Sequence, residues 1–122
     1  MVTQQDARDL VFDALGDRTR RAILDLLREG EMRAGDLAAR FPVSRPAIAK
    51  HVGVLRRAGL VRERREAQAR LYSVEPAGLA EVDRWLAPYR LYWAARLSDL
   101  KRVVEADHAA KASSMNGRPT DE

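Results

Sequence analysis

Between residues 44 and 70 the side chains best equipped for chemistry are cations: Arg45, Lys50 and Arg57, then Arg62, Arg64, Arg65 and Arg70. A guanidinium fork bonds two acceptors at once and an ammonium is a compact point charge, so both suit phosphate, and arginine also matches O6 and N7 of guanine. No comparable gathering of carboxylates, thiols or imidazoles occurs. The chain has no cysteine, which excludes disulfides, thiolate metal sites and a cysteine nucleophile, and fits a reducing cytoplasm. Ser44 and His51 stand two helical turns apart, too far for a nucleophile–base hydrogen bond, and no Gly-rich phosphate loop is present. His51 has no second ligand nearby in sequence, and His108 is the only other histidine. No enzyme, no metal site and no cofactor is expected.

Positioning these cations is the task of a helix beginning at Ser44. Its hydroxyl is a good N-cap, and Pro46 is tolerated in a first turn whose N–H groups lack helical partners. Ile48, Val52 and Leu55 form one apolar stripe, and Gly59 supplies the left-handed residue that ends helices. Opposite the stripe lie Pro46, Lys50, Gly53 and Arg57, a face small at its start and basic further on. Taken alone, this segment reads equally well as a groove-entering helix or as an ordinary amphipathic surface helix.

The neighbouring segments favour the first reading. Residues 3–15 predict a helix with Leu10, Val11, Ala14 and Leu15 apolar, ended by Gly16. Asp17 caps a second helix carrying Ala22, Ile23, Leu26 and Leu27, closed by Gly30. Arg18, Arg20 and Arg21 crowd its first turn, and pairing with Asp17 or Asp25 is the expected use of most of them. A short helix over Ala34 to Phe41 precedes the turn Phe41-Pro42-Val43, because the residue before a proline is steered out of the helical region. Two short helices joined in this way make a helix-turn-helix. Leu60 to Arg65 and Arg70 to Val74 then predict two strands joined by Glu66-Ala67-Gln68-Ala69, a hairpin wing that carries Arg62, Arg64, Arg65 and Arg70. Its arginines suit a nucleic-acid backbone; the competing use of such charge is to keep strand edges apart.

The charge distribution points the same way. Of a net +4 over 122 residues, residues 1–17 carry −3 (one arginine against four aspartates) and residues 18–75 carry +7 (fourteen cations against seven anions). Residues 76–122, with seven of each sign, carry none. A basic middle between acidic and neutral flanks suits a polyanion. No basic start followed by an apolar run marks a signal peptide, and no apolar run spans a bilayer.

Residues 76–107 read as helical, with Pro88 expected to break or kink them. Leu79, Val82, Leu86, Tyr89, Trp93, Leu97, Leu100 and Val104 recur every three or four residues, and Trp85 and Tyr92 add an aromatic edge. Either self-association, with the first helix alongside, or folding back over the chain's own domain would bury this surface. A ligand pocket lined by Trp85, Tyr89, Tyr92 and Trp93 is a further use of these residues. Residues 1–108 are expected to form one domain and residues 109–122 a disordered tail. The fold class is mainly α with a small β-hairpin.

The stretch from Phe12 to Leu24 (FDALGDRTRRAIL) resembles the opening motif of the ArsR-type winged-helix repressors. Val43 to Val52 (VSRPAIAKHV), with Leu55 and Ala58-Gly59-Leu60-Val61, is similar to their recognition helix and its exit. The similarity covers roughly residues 8–107, and the Trp/Tyr-rich last helix is similar to that of the metal-independent, autorepressor-like branch. The resemblance implies a homodimer paired through the first and last helices. It also implies an inverted-repeat operator in double-stranded DNA and repression of the protein's own operon. It places Arg45, Pro46, Ala49 and Lys50 nearest the bases, with Ala47 and His51 beside them. The expected DNA-binding set is then Ser44, Arg45, Pro46, Ala47, Ala49, Lys50, His51, Arg57, Arg62, Arg64, Arg65 and Arg70. The expected dimer interface is Leu10, Val11, Leu86, Tyr89, Trp93, Leu97, Leu100 and Val104. Arg18 stands where relatives often have proline, Pro42 where a glycine is common, and the wing tip lacks the usual glycine. The alternatives are a protein-contact module acting through the aromatic helix, or a regulator gated by a small-molecule, metal or protein effector.

Overall fold

The computed structural model describes residues 3–116. In chain order its elements are α1 (Gln4–Leu15), α2 (Arg18–Arg28), β1 (Met32–Arg33), α3 (Ala34–Ala38), α4 (Arg45–Arg57), β2 (Val61–Glu66), β3 (Ala69–Val74) and α5 (Pro76–Asn116). The chain divides into two units, the first ending at Arg84 and the second beginning at Trp85.

Local chemistry sets the helix ends. Thr3 and Asp6 form a capping box at α1, each side chain accepting the other's backbone N–H. Asp17 caps α2 by accepting the Arg20 N–H at 3.0 Å. That bond holds the Asp17 carboxyl below the usual aspartate range, with the Arg20 charge adding to it. α3 is shorter than expected. Beyond Ala38 the chain tightens into i→i−3 bonds, Arg40 N–H to Leu37 O and Phe41 N–H to Ala38 O, while Phe41 still packs on the core. α4 ends in a Schellman motif: Gly59 has φ +75°, and the Leu60 N–H bonds Leu55 O at 2.9 Å. Leu60 is thereby spent on the helix exit, and β2 starts one residue later than the sequence pattern implied.

The stripes meet in one core. Val11 and Ala14 of α1, Ile23 and Leu27 of α2, Leu37 of α3, and Ile48, Val52 and Leu55 of α4 are buried together with Leu60 and Tyr72. Arg20 and Arg21 do not pair with Asp17 or Asp25 as expected. Arg20 donates to Ala14 O and Arg21 to Leu15 O, each at 2.7 Å. The last turn of α1 holds no basic residue of its own, so cations from α2 satisfy its orphan carbonyls.

The wing is part of a three-stranded antiparallel sheet in the order β1-β3-β2. β2 and β3 pair from Val61↔Val74 to Glu66↔Ala69, and the two-residue β1 adds Met32↔Tyr72 and Arg33↔Leu71. Ala67 carries the turn at φ +57°, which an L side chain tolerates at about 1–2 kcal/mol. Glycine relieves that strain and gives back about 0.5–1 kcal/mol through its freer unfolded chain. Ala67→Gly is therefore expected to stabilise the protein by about 0.5–1 kcal/mol. The check is the urea midpoint, and a lowered midpoint would contradict it.

Pro88 lies inside α5, and the helix runs through it. Proline removes one helical N–H, and because Pro88 is exposed, water can take the carbonyl this frees. The helix also continues past residue 108, through Asn116, where a structureless tail was expected; residues 117–122 lie outside the described residues. In the second unit Trp85 and Tyr89 stack with ring centroids 4.8 Å apart, and the Arg96 guanidinium lies 5.0 Å over the Tyr92 ring. Most of this unit's large apolar side chains stay open to solvent, Leu91, Leu97 and Val103 most of all.

Candidate nucleic-acid interface

α4 presents the face its sequence implied. Ser44 accepts the Ala47 N–H at 3.2 Å, and Ile48, Val52 and Leu55 anchor the helix inward. Arg45, Pro46, Ala49, Lys50 and Arg57 are exposed, with Ala47, His51 and Gly53 half-buried among them. Small residues near the start of the helix allow close approach, and the cations stand along its length.

Arg45 lies against a glycine. A Cβ built on Gly35 would lie 3.3 Å from the Arg45 Nη2, so the guanidinium rests on α3 where a side chain is missing. From there Arg45 borders a cleft between α3, α4 and β3, floored by Ile48, Val52 and Tyr72, with Arg70 also lining it. Burial raises the Tyr72 hydroxyl above its ordinary pKa, and the nearby Glu63 carboxylate adds to this against an opposing contribution from Arg70. α4 and the wing thus bring arginines to one cleft from positions 25 residues apart in the chain.

The four wing arginines divide into two kinds. Arg62 donates to Glu75 at 2.8 Å. Arg64 grips Glu31 with two bonds of 2.8 and 2.7 Å and lies 3.2 Å from Glu66. The Arg64 bonds hold the Glu31 carboxyl below the usual glutamate range. Arg62 and Arg64, both expected in the DNA-binding set, are exposed, and each is paired with a carboxylate from the loops beside the wing, Glu75 and Glu31. Arg65 and Arg70 are cross-strand partners, and among the described residues no carboxylate pairs with either. Like charges directly opposite on neighbouring strands repel, and an anion set between them relieves the repulsion. Glu31 carried no signal in the sequence, because its partner Arg64 is 33 residues away.

Of the expected dimer residues, Leu10, Tyr89, Trp93, Leu97, Leu100 and Val104 are 45–64% exposed, and Leu86 is half-buried. Val11 must be corrected. It is 1% exposed within its own core and has no surface to offer a partner. Helical spacing placed it with Leu10, but adjacent helical residues point about 100° apart, and only Leu10 faces out. Among the described residues no group of three or more His, Asp or Glu is arranged to hold a metal ion, and no helix is long and apolar enough to cross a membrane.

A family model described as a helix-turn-helix domain matches residues 15–64, from the end of α1 into the wing. The HTH-type transcriptional regulator Rv2034 of Mycobacterium tuberculosis is 36% identical over 103 residues, covering 81% of this chain and 90% of that protein. The transcriptional repressor SdpR of Bacillus subtilis is 41% identical over 76 residues, covering 62% of this chain and 84% of its own. Among solved structures, that of an ArsR family transcriptional regulator superposes with a TM-score of 0.68 at 30% identity, covering 77% of this chain and 97% of the other.

Proposed function

The chain belongs to the ArsR family of winged helix-turn-helix, DNA-binding transcriptional regulators, which are not enzymes, and from that premise we propose that it acts as a homodimeric repressor of its own operon. The dimer reads an inverted-repeat operator in the cytoplasm, one half-site to each α4, and it does so without sensing a metal. The observation that carries this reading is the open basic face of α4 beside the Arg65–Arg70 pair, a surface on which, among the described residues, no carboxylate pairs with Arg45, Lys50, Arg65 or Arg70. Absence of cysteine supports metal independence, because soft thiolate ligands are missing throughout the sequence.

In this reading Arg45 is the base reader and Lys50 meets base or phosphate. Arg65 and Arg70 hold the backbone in place of Arg62 and Arg64. The test is a titration of the protein with its own promoter region and with a shuffled duplex of equal length, each at two salt concentrations. Tight binding to the promoter alone, weakening steeply with salt, is expected. Arg45→Ala should then lose about 1–3 kcal/mol and relax the preference at one position per half-site. Equal weak binding of both duplexes would overturn the repressor reading and move attention to the aromatic part of α5 as a protein-contact surface.

A further inference from the structure

Arg20 reaches three places from the first turn of α2. Its Nε donates to Ala14 O at 2.7 Å and its Nη2 to Asp13 O at 2.9 Å, so it ties off the end of α1. Its Nη1 lies 3.3 Å from Nδ1 of His51, in the middle of α4. An arginine can only donate, so this contact requires a lone pair on Nδ1, with the imidazole proton on Nε2. The same Nδ1 lies 3.8 Å from Oδ2 of Asp17, the carboxylate that caps α2. One ring nitrogen on the reading helix therefore faces a cation and an anion together. Among the described residues the charged groups in contact with it are Arg20 and Asp17, and Lys50 precedes it in α4; α1 reaches it through the carbonyls that Arg20 holds.

Protonation exchanges these partners. Neutral His51 accepts from Arg20, which fixes α4 to the joint of α1 and α2. With a proton on Nδ1 the acceptor is gone, Arg20 and the imidazolium repel, and the ring is drawn to Asp17. The added charge also attracts any duplex regardless of sequence.

We propose that Arg20 is a positioning residue for the reading helix, acting through His51, and that a proton at His51 Nδ1 releases this hold and lowers discrimination between DNA sequences. The inference rests on the DNA-reading function proposed above. Imidazole as a side-chain class changes charge between pH 5 and 8, which sets the two pH values of the test.

The experiment uses the full chain and two probes, a duplex enriched from a random pool by the wild-type protein and a shuffled duplex of the same length. The ratio of the two affinities is measured at pH 8 and pH 5.5 at fixed salt. For the wild type the ratio should fall about tenfold at the lower pH, the worth of one hydrogen bond to a charged group. His51→Asn places an amide oxygen where Nδ1 stood and cannot be protonated there, so its ratio should be the same at both pH values, and a ratio that falls at pH 5.5 as the wild type's does would overturn the proposal. His51→Leu has no acceptor, so its ratio should be low at both. A wild-type ratio that does not change with pH, or a His51→Leu ratio as high as that of His51→Asn, would overturn the proposal while leaving the DNA-reading function standing. A wild-type protein that enriches no duplex from the pool would take down both.

Discussion

Trp93→Glu should leave the protein monomeric at micromolar concentration and weaken its binding to operator DNA by about a hundredfold or more. Trp93 is 50% exposed on α5, on a helix that also opens Leu97, Leu100 and Val104 to solvent at 64, 58 and 45%. A stretch this apolar is costly to leave in water, and a two-fold contact between copies covers the same residues on both chains at once. Large aromatic side chains carry much of the free energy of such contacts, and Trp93 stands within this run. A carboxylate placed there would have to be buried without a partner, so the dimer is lost rather than merely loosened. The DNA effect follows from linkage. Two reading helices joined in one molecule raise each other's effective concentration at paired half-sites, and separate monomers lose that gain of about two to four orders of magnitude. Sedimentation and a DNA titration check the two parts. An intact dimer in sedimentation would place the interface elsewhere.

Gly78→Ala should destabilise the fold by about 1–3 kcal/mol, although glycine to alanine in a helix ordinarily stabilises by up to about 1 kcal/mol. Gly78 is buried in the first turn of α5, and its N–H bonds Gly59 O at 2.9 Å. A Cβ there would meet that carbonyl oxygen at 2.6 Å, the Gly59 carbonyl carbon at 2.9 Å and the Leu60 side chain at 2.9 Å. The obstacle is mainly backbone. It belongs to the left-handed residue that ends α4, so it cannot swing aside as a flexible side chain would. Relief requires α5 to lift from the exit of the reading helix, with loss of core packing around Leu60, which is fully buried. Denaturant unfolding measures the change. A neutral or stabilising result would mean that the start of α5 moves freely.

Legibility in the sequence depended on the range of the interaction. Ser44, Asp17 and Gly59 were readable because caps and left-handed exits act within one turn of their own residue. The stripe Ile48-Val52-Leu55 was readable because helical periodicity is local. Val11 was misjudged because two adjacent apolar residues on α1 have the same composition and opposite fates. β1 was missed because two residues make no pattern, and its strand character comes entirely from pairing with β3. Pro88 was expected to break or kink α5; the helix continues through it, because a missing helical bond at an exposed position is tolerated.

The candidate site shows the same division. Which residues are cations, and that they cluster on one helix and one hairpin, was written in the chain. Which of those cations are free was not. Arg62 and Arg64 are taken up by Glu75 and Glu31, while Arg65 and Arg70 stand opposite one another. The sequence by itself determined the helix-turn-helix, the wing and the family, because these rest on caps, stripes and turns whose partners lie within a few residues. Only the tertiary structure decided which arginines pair with carboxylates, where Arg45 rests on Gly35, and how Arg20 joins α1 to His51. Those contacts link groups far apart in the chain, and a charge acquires its partner only when folding brings that partner within reach.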